Sequence, residues 1–379
     1  MISHRIHIIV YDVVTCPCSV IINNSWRIEM KIMKRSVCAL VLIPVLVAAF
    51  VAGCAKKDAV STKDAVSTPE VKTKSAVMIT DAGGLGDGGF NDMAWHGLEM
   101  AKEQLGYEVA VIESTEAAQF APNIQQAAEQ GYDIVVCVGF LFMDSLKEVA
   151  PQYPDTKFIM IDAVVEGDNV YCFRFDVQES GFLAGALAGL VREENVFGYV
   201  GGMETPVVLA WESGFVSGIL TTKPGAEVRT AYVGTFADPG KAKELALAHF
   251  NAGAGICMEV SSGGAIGVIE AARDSGNMFV ATDASKDSFA PGREFTAALA
   301  KRDYAVLNAI KLLDNGSAKP GTTYLSMKDG IFGLPDDTEA RYGADAVATI
   351  KKLQEMIMDG TIDVPSTRDE VAAFTPPAY

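Results

Sequence analysis

The sequence predicts an α/β protein built from two doubly wound lobes with parallel sheets. Three observations predict it. From Ser75 onward, short apolar runs alternate in strict order with amphipathic helical patterns. The runs are continuously apolar instead of alternating, which marks strands covered on both faces. About 300 residues with so many units exceed one small doubly wound domain, so they divide into two.

Taken in order, strands fall at 76–80, 108–113, 133–138, 157–162, 170–175, 196–200, 227–233, 255–260 and 278–282. Helical patterns run over 93–105, 118–130, 179–192, 239–251 and 265–275. Between the first strand and the first helix lies Thr80–Asp92, a segment with five glycines flanked by Asp81 and Phe90-Asn91. Open α/β sheets hold small ligands there, outside the carboxyl ends of their strands. A short echo supports two similar lobes: Ala94-Trp95-His96-Gly97-Leu98 follows this turn, and Ala210-Trp211-Glu212-Ser213-Gly214-Phe215 follows Gly201-Gly202. One lobe takes residues 75–176 plus about 292–330, the other 177–291 plus about 331–379. The chain switches near Asp176 and crosses back near Pro291-Gly292 and again near Gly330. Lobes joined by several crossovers make a hinged cleft suited to closing on a ligand.

The N-terminus points outside the cytoplasm. Val37 to Ala52 is an apolar run of sixteen residues behind Lys31, Lys34 and Arg35, too short for a membrane span and suited to a signal peptide. It closes on Val51-Ala52-Gly53-Cys54, which resembles a bacterial lipobox, with Cys54 as the lipid acceptor. Residues 1–53 therefore read as leader and signal peptide. Residues 54–74 read as a flexible tether, in which Lys57-Asp58-Ala59-Val60-Ser61-Thr62 is repeated unchanged as Lys63 to Thr68. No other apolar run has membrane length, so the chain is anchored and not spanning. Cys137, Cys172 and Cys257 sit inside apolar runs and read as small buried hydrophobes, not as a disulfide framework.

The chain carries a net charge of −17, and without the leader, whose five basic and two acidic residues sum to +3, −20. Such acidity disfavours nucleic acid and anionic lipid as partners. His96 and His249 have no second His or Cys at ligand spacing, so no metal is expected. The sequence has no Gly-x-Ser-x-Gly elbow, and no Ser/His/Asp set that the order of elements would bring together. Gly84-x-Gly86-x-x-Gly89, with Glu113 beyond it at a strand end, does match a dinucleotide fingerprint. A nicotinamide-dependent Rossmann enzyme thus stands as an alternative. Against it, Asp81 would face the phosphates, and Phe90-Asn91 stand where the phosphate-binding helix should already be running.

From Ala76 to about Pro365 the chain resembles the basic membrane protein family of substrate-binding lipoproteins, which includes the purine nucleoside receptors. The pieces that carry the resemblance are Asp81-x-Gly83-Gly84…Gly89-Phe90-Asn91…Ala94-Trp95-x-Gly97 and Gly139-Phe140-Leu141-Phe142-x-Asp144. To these are added Phe158-x-x-Ile161-Asp162, Gly201-Gly202-Met203 with Pro206-Val207-Val208, and Gly267 to Ala272. The resemblance implies a periplasmic-binding fold of the ribose-binding type, with the ligand in the interlobe cleft. It also implies a receptor without catalysis or cofactor that feeds the permease of an ABC importer. By the same resemblance, Asp81 and Asn91 would bond the base edge, and Phe90 and Trp211 would sandwich the ring. Asp144, Asp283 and Lys301 would address ribose hydroxyls, and Gly263 would let the backbone approach the ligand. Two turns depart from the family's usual sequence: Ser261-Ser262-Gly263-Gly264-Ala265, and Ala284-Ser285-Lys286 after Asp283. A monomeric, lipid-anchored receptor for a purine nucleoside is the expectation. Riboflavin, a flat ring with a polyhydroxyl arm, is the rival ligand, and sensing is the rival to transport.

Overall fold

The computed structural model describes residues 73–379. The leader, the Cys54 lipid site and the tether as far as residue 72 lie outside the described residues. The first sheet holds β1 (Ser75–Thr80), β2 (Glu108–Glu113), β3 (Ile134–Val138), β4 (Lys157–Ile161), β5 (Val170–Phe175) and β11 (Gly321–Leu325). The second holds β6 (Val196–Gly201), β7 (Glu227–Tyr232), β8 (Ile256–Val260), β9 (Met278–Asp283), β10 (Glu294–Ala300) and β12 (Phe332–Gly333). Their orders, β11-β5-β4-β3-β1-β2 and β12-β10-β9-β8-β6-β7, follow one scheme, so each strand has a counterpart: β1 with β6, β3 with β8, β4 with β9. Every pairing is parallel except that of β12 with β10.

The continuous apolar runs have a direct cause. Val77, Ile79, Val135, Cys137, Phe158 and Met160 point into one core, while Ala76, Met78, Val136, Val138, Ile159 and Ile161 point into another. Successive side chains take opposite faces, and both faces are covered. Cys137, Cys172 and Cys257 are free, buried thiols within this packing. The covering helices are α1 (Phe90–Leu105), α2 (Phe120–Glu129), α3 (Met143–Val149), α4 (Val177–Val191), α5 (Pro206–Thr222), α6 (Pro239–Asn251), α7 (Ala265–Ser275) and α8 (Arg302–Asp314). Three more, α9 (Thr338–Tyr342), α10 (Ala344–Met358) and α11 (Arg368–Ala373), finish the chain.

Two packing details position the site. Helices α4 and α5 meet backbone to backbone through Gly181, Gly185 and Gly189 on one and Gly214 and Gly218 on the other. A Cβ on Gly185 would stand 2.2 Å from the Phe215 carbonyl oxygen, and one on Gly214 2.1 Å from that of Gln178. The four-residue spacing puts these glycines on one stripe of each helix. Helix α1, expected from Met93, starts at Phe90, because Asp87 collects its first amides: Oδ2 accepts from Asn91 N–H at 2.9 Å and Oδ1 from Asp92 N–H at 3.3 Å.

The chain passes between the halves at Asp176, at Lys301 and at Ser326. The return expected near Pro291-Gly292 is corrected: β10 stays in the second sheet beside β9, and only then does α8 cross to pack on α1. Residues 292–300 thus belong with the second half. The run Glu294–Ala300 escaped notice because it is mostly alanine and threonine, and its place is fixed tertiarily, with Glu294 accepting from Ser285 and from the Lys286 amide.

Candidate functional site

The carboxyl ends of β1, β3 and β4 meet those of β8 and β9, with the start of α5, around one cavity. Four aromatic side chains line it: Phe90, Phe140, Trp211 and Phe236. Phe236 comes from the loop after β7 and lies on Gly202, where a Cβ would be only 2.3 Å from its ring. Such flat apolar faces suit a planar heterocycle.

At the exit of β1, Asp81 is buried and lines the cavity. Its Oδ1 accepts from Gly83 N–H at 2.9 Å and from Asn91 Nδ2 at 3.1 Å. Burial pushes its carboxyl up to about 6, with the hydrogen bonds from Asn91 and Gly83 opposing and the charge of Asp87 adding. Asn91 is fully buried behind it and also donates to Asp87 Oδ2 at 3.2 Å and Ser262 Oγ at 3.3 Å. Asn91 therefore orients Asp81 and does not itself line the cavity.

The glycine-rich loop is capped from within. The amides of Leu85, Gly86, Gly88 and Gly89 donate to Glu113, Asp92, Asp92 and Asp87 respectively. These are the donors a pyrophosphate would need. Glu113, which a dinucleotide site would turn toward a ribose, instead accepts from Leu85 N–H at 3.0 Å.

Two buried ion clusters form the rest of the wall. Lys286 Nζ lies 2.6 Å from Glu259 Oε1. Burial works against the charge on Lys286, but Glu259 and then Asp87 outweigh it and leave its pKa raised. Arg302 donates from Nη1 to Asp162 Oδ2 at 2.8 Å and from Nε to Asp283 Oδ1 at 2.9 Å. Burial pushes the Asp162 carboxyl up, and Arg302 opposes it. Among the described residues, no group of three or more His, Cys, Asp or Glu side chains is placed to hold a metal ion.

Of the residues singled out from sequence, Asp81, Phe90, Trp211 and Asp283 line this one cavity. Gly263 packs at its edge, where a Cβ would come 3.0 Å from Gly83 O and 3.2 Å from Phe236 O, so it lets loops of the two halves close together. Asp144 and Lys301 are exposed and outside the lining. Asp144 lies off the face of α3 that buries Leu146 and Val149, and Lys301 precedes the first residue of α8, leaving Arg302 as the cation that points inward. Sequence reasoning missed Arg302, Lys286 and Phe236 as parts of the wall, and Glu259 as the buried partner behind Lys286. Asp162 was visible only as the last residue of the family piece Phe158-x-x-Ile161-Asp162.

A family model described as ABC transporter substrate-binding protein PnrA-like, Bmp, matches residues 74–368. The chain belongs to the Bmp family. This Bmp protein is 29% identical over 361 residues to the ABC transporter nucleoside-binding protein BmpA of Lactococcus lactis subsp. cremoris, covering 88% of its own length and all of the relative. It is 30% identical over 348 residues to an uncharacterised lipoprotein of Pyrococcus horikoshii, covering 88% and 85% of the two chains. An ABC transporter solute-binding protein of Aeropyrum pernix K1 superposes with a TM-score of 0.73 at 26% identity, over 79% of this chain and 96% of that one. As a Bmp protein, the chain has the two-sheet architecture of ABC solute-binding proteins of the periplasmic-binding type.

Proposed function

We propose that the protein is a lipid-anchored, extracytoplasmic receptor that binds a nucleoside, with a purine as base, and hands it to the permease of an ABC importer without catalysis. The observation that carries this is the pairing of a buried carboxylate, Asp81, with the aromatic faces of Phe90 and Trp211 in one cavity between the halves. The ring stacks on the aromatics while a ring N–H donates to Asp81, and closure of the halves excludes water. The nucleoside-binding name of the Lactococcus relative supports the ligand class. The lipoprotein name of the Pyrococcus relative supports lipid on Cys54. A loop whose amides are engaged by its own carboxylates speaks against a dinucleotide.

Thermal unfolding of the purified protein with inosine, guanosine, cytidine, hypoxanthine, riboflavin and NAD tests this. A ligand at 100 times its Kd stabilises by about 2.7 kcal/mol, and the purine nucleosides should give the largest rise. A rise with riboflavin alone, or with NAD alone, refutes it. Mass spectrometry of the mature N-terminus tests the anchor, and an unmodified Cys54 refutes that part.

A further inference from the structure

We propose that Arg368, on the last helix of the chain, is a positioning residue for the aromatic wall of the cavity, acting through Glu212 on its neighbour Trp211. This rests on the receptor function proposed above and extends it to a residue that does not line the cavity.

The Arg368 guanidinium draws three segments together. Nε and Nη2 donate to Glu212 Oε1 and Oε2 at 3.1 and 2.9 Å, a two-pronged grip. Nη1 donates to Glu204 Oε1 at 2.9 Å. Nη2 also reaches the Tyr232 hydroxyl at 3.1 Å, with the guanidinium 5.4 Å from the centroid of that ring. Tyr232 in turn donates to Glu212. Each acceptor stands beside a piece of the wall. Glu212 follows Trp211 on α5, Glu204 precedes Thr205, and Tyr232 ends β7 just ahead of Phe236. Trp211, Thr205 and Phe236 line the cavity, whereas Arg368 and its three acceptors stand behind them.

Burial makes this link more than a surface ion pair. Glu212 is only 5% exposed, so its carboxylate depends on Arg368 and Tyr232 in place of water. A buried pair adds little net stability, and its best-attested use is to fix register. Here the register is the rotation of α5 about its axis. Adjacent helix positions differ by about 100°, so holding Glu212 fixes the direction in which Trp211 points. The contact with α4 sets how closely α5 approaches, but Gly214 and Gly218 bring no side chains to it that would fix rotation. Arg368 itself stands on a firm base. Thr367 and Glu370 close a capping box around the first turn of α11. Beyond that helix, the Phe374 ring lies edge-on to Phe182 of α4, with centroids 6.3 Å apart.

Calorimetric titration with inosine and hypoxanthine, together with Trp211 fluorescence, tests the assignment. The tryptophans are Trp26, Trp95 and Trp211, so in the chain from residue 54 onward Trp95→Phe leaves Trp211 as the reporter. Arg368→Gln should weaken both ligands by the same factor, roughly 2- to 10-fold, the worth of an aromatic contact beyond its burial. It should also shift Trp211 emission to the red and raise its quenching by acrylamide. Arg368→Lys, which keeps the charge but loses the fork, should recover part of both effects. Glu212→Gln should weaken binding as Arg368→Gln does, and the double variant no further than either, since both act through one link. If Arg368→Gln leaves Trp211 fluorescence and both affinities at the wild-type level, the proposal is overturned while the receptor function stands. Additive losses in the double variant, or a lowered Tm with affinity unchanged, overturn it as well. If wild type binds neither ligand, the receptor function falls, and the fluorescence of Arg368→Gln alone decides whether Arg368 sets Trp211: a red shift upholds that, and an unchanged spectrum overturns it.

Discussion

Replacing Gly185 by alanine is the sharpest test of how the second half is built. On an isolated helix the change is favourable by about 1 kcal/mol, since alanine is the better helix former. Here the added methyl would lie 2.2 Å from the Phe215 carbonyl oxygen and 3.0 Å from its carbonyl carbon. Ordinary carbon–oxygen contact needs more than 3 Å, so α5 must retreat by about 1 Å. Overpacking a filled interior costs typically 1–3 kcal/mol. Both partners are main chain, which places Gly185 at the upper end of that range. The net effect is a loss of about 2 kcal/mol. In a folded part of about 300 residues this lowers Tm by roughly 3 °C. Because α5 carries Trp211, which packs against Gly181, ligand affinity should fall as well. Differential scanning calorimetry reads the first effect and titration the second. A Tm equal to or above wild type would mean that the helices are not in backbone contact, and the reasoning would be wrong.

Three further outcomes follow from the site. Asp81 binds a proton in the folded protein that the unfolded chain releases, so this group adds stability as pH falls through about 6. A ligand N–H prefers the ionised form, so nucleoside affinity should weaken by about tenfold from pH 7 to pH 5, and a flat profile in calorimetric titration would contradict the role of Asp81. Lys286→Met strands the buried Glu259 carboxylate and should cost about 3–5 kcal/mol, with Lys286→Met plus Glu259→Gln recovering most of it; a single variant as stable as wild type in chemical denaturation would show that the pair is not ionised. Gly202→Ala should push the Phe236 ring out of its seat, lowering affinity roughly 2- to 10-fold with little change in Tm, and unchanged affinity would remove Phe236 from the binding wall.

Legibility in the sequence tracked how local the causes were. Strands such as Val170–Phe175 and Glu108–Glu113 were readable to the residue, because each is a short, mostly apolar run between helical patterns. Asp81, Phe90 and Trp211 were singled out through the family resemblance, and the chain places them on one cavity. The start of α1 was not, since it depends on Asp87 turning back onto amides that no periodicity reveals. Strand β10 was hidden by its alanines. Lys301 and Arg302 are adjacent cations, and which one faces inward depends on where α8 begins. Asp162, Glu259 and Lys286 acquire their roles only from partners far away in sequence, a relation that spacing along the chain does not carry.

If the two halves tilt on one another, the three crossings at Asp176, Lys301 and Ser326 would be the pins of that motion. Spans of a residue or two have no slack, so one half can tilt against the other but cannot slide. Tilt turns distance from the pins into travel. Strand β4 lies one strand from β5, about 5 Å, whereas β1 lies three strands away, about 14 Å. Asp162 and Arg302 therefore sit on the short arm of such a lever and would move least. Asp87, which accepts from Ser262 Oγ at 2.9 Å across the halves, rides the long arm beyond β1. For a given tilt the outer contact parts about three times as far as the inner one. The cleft would open from its glycine-rich rim, with the polar floor near the pins letting go last.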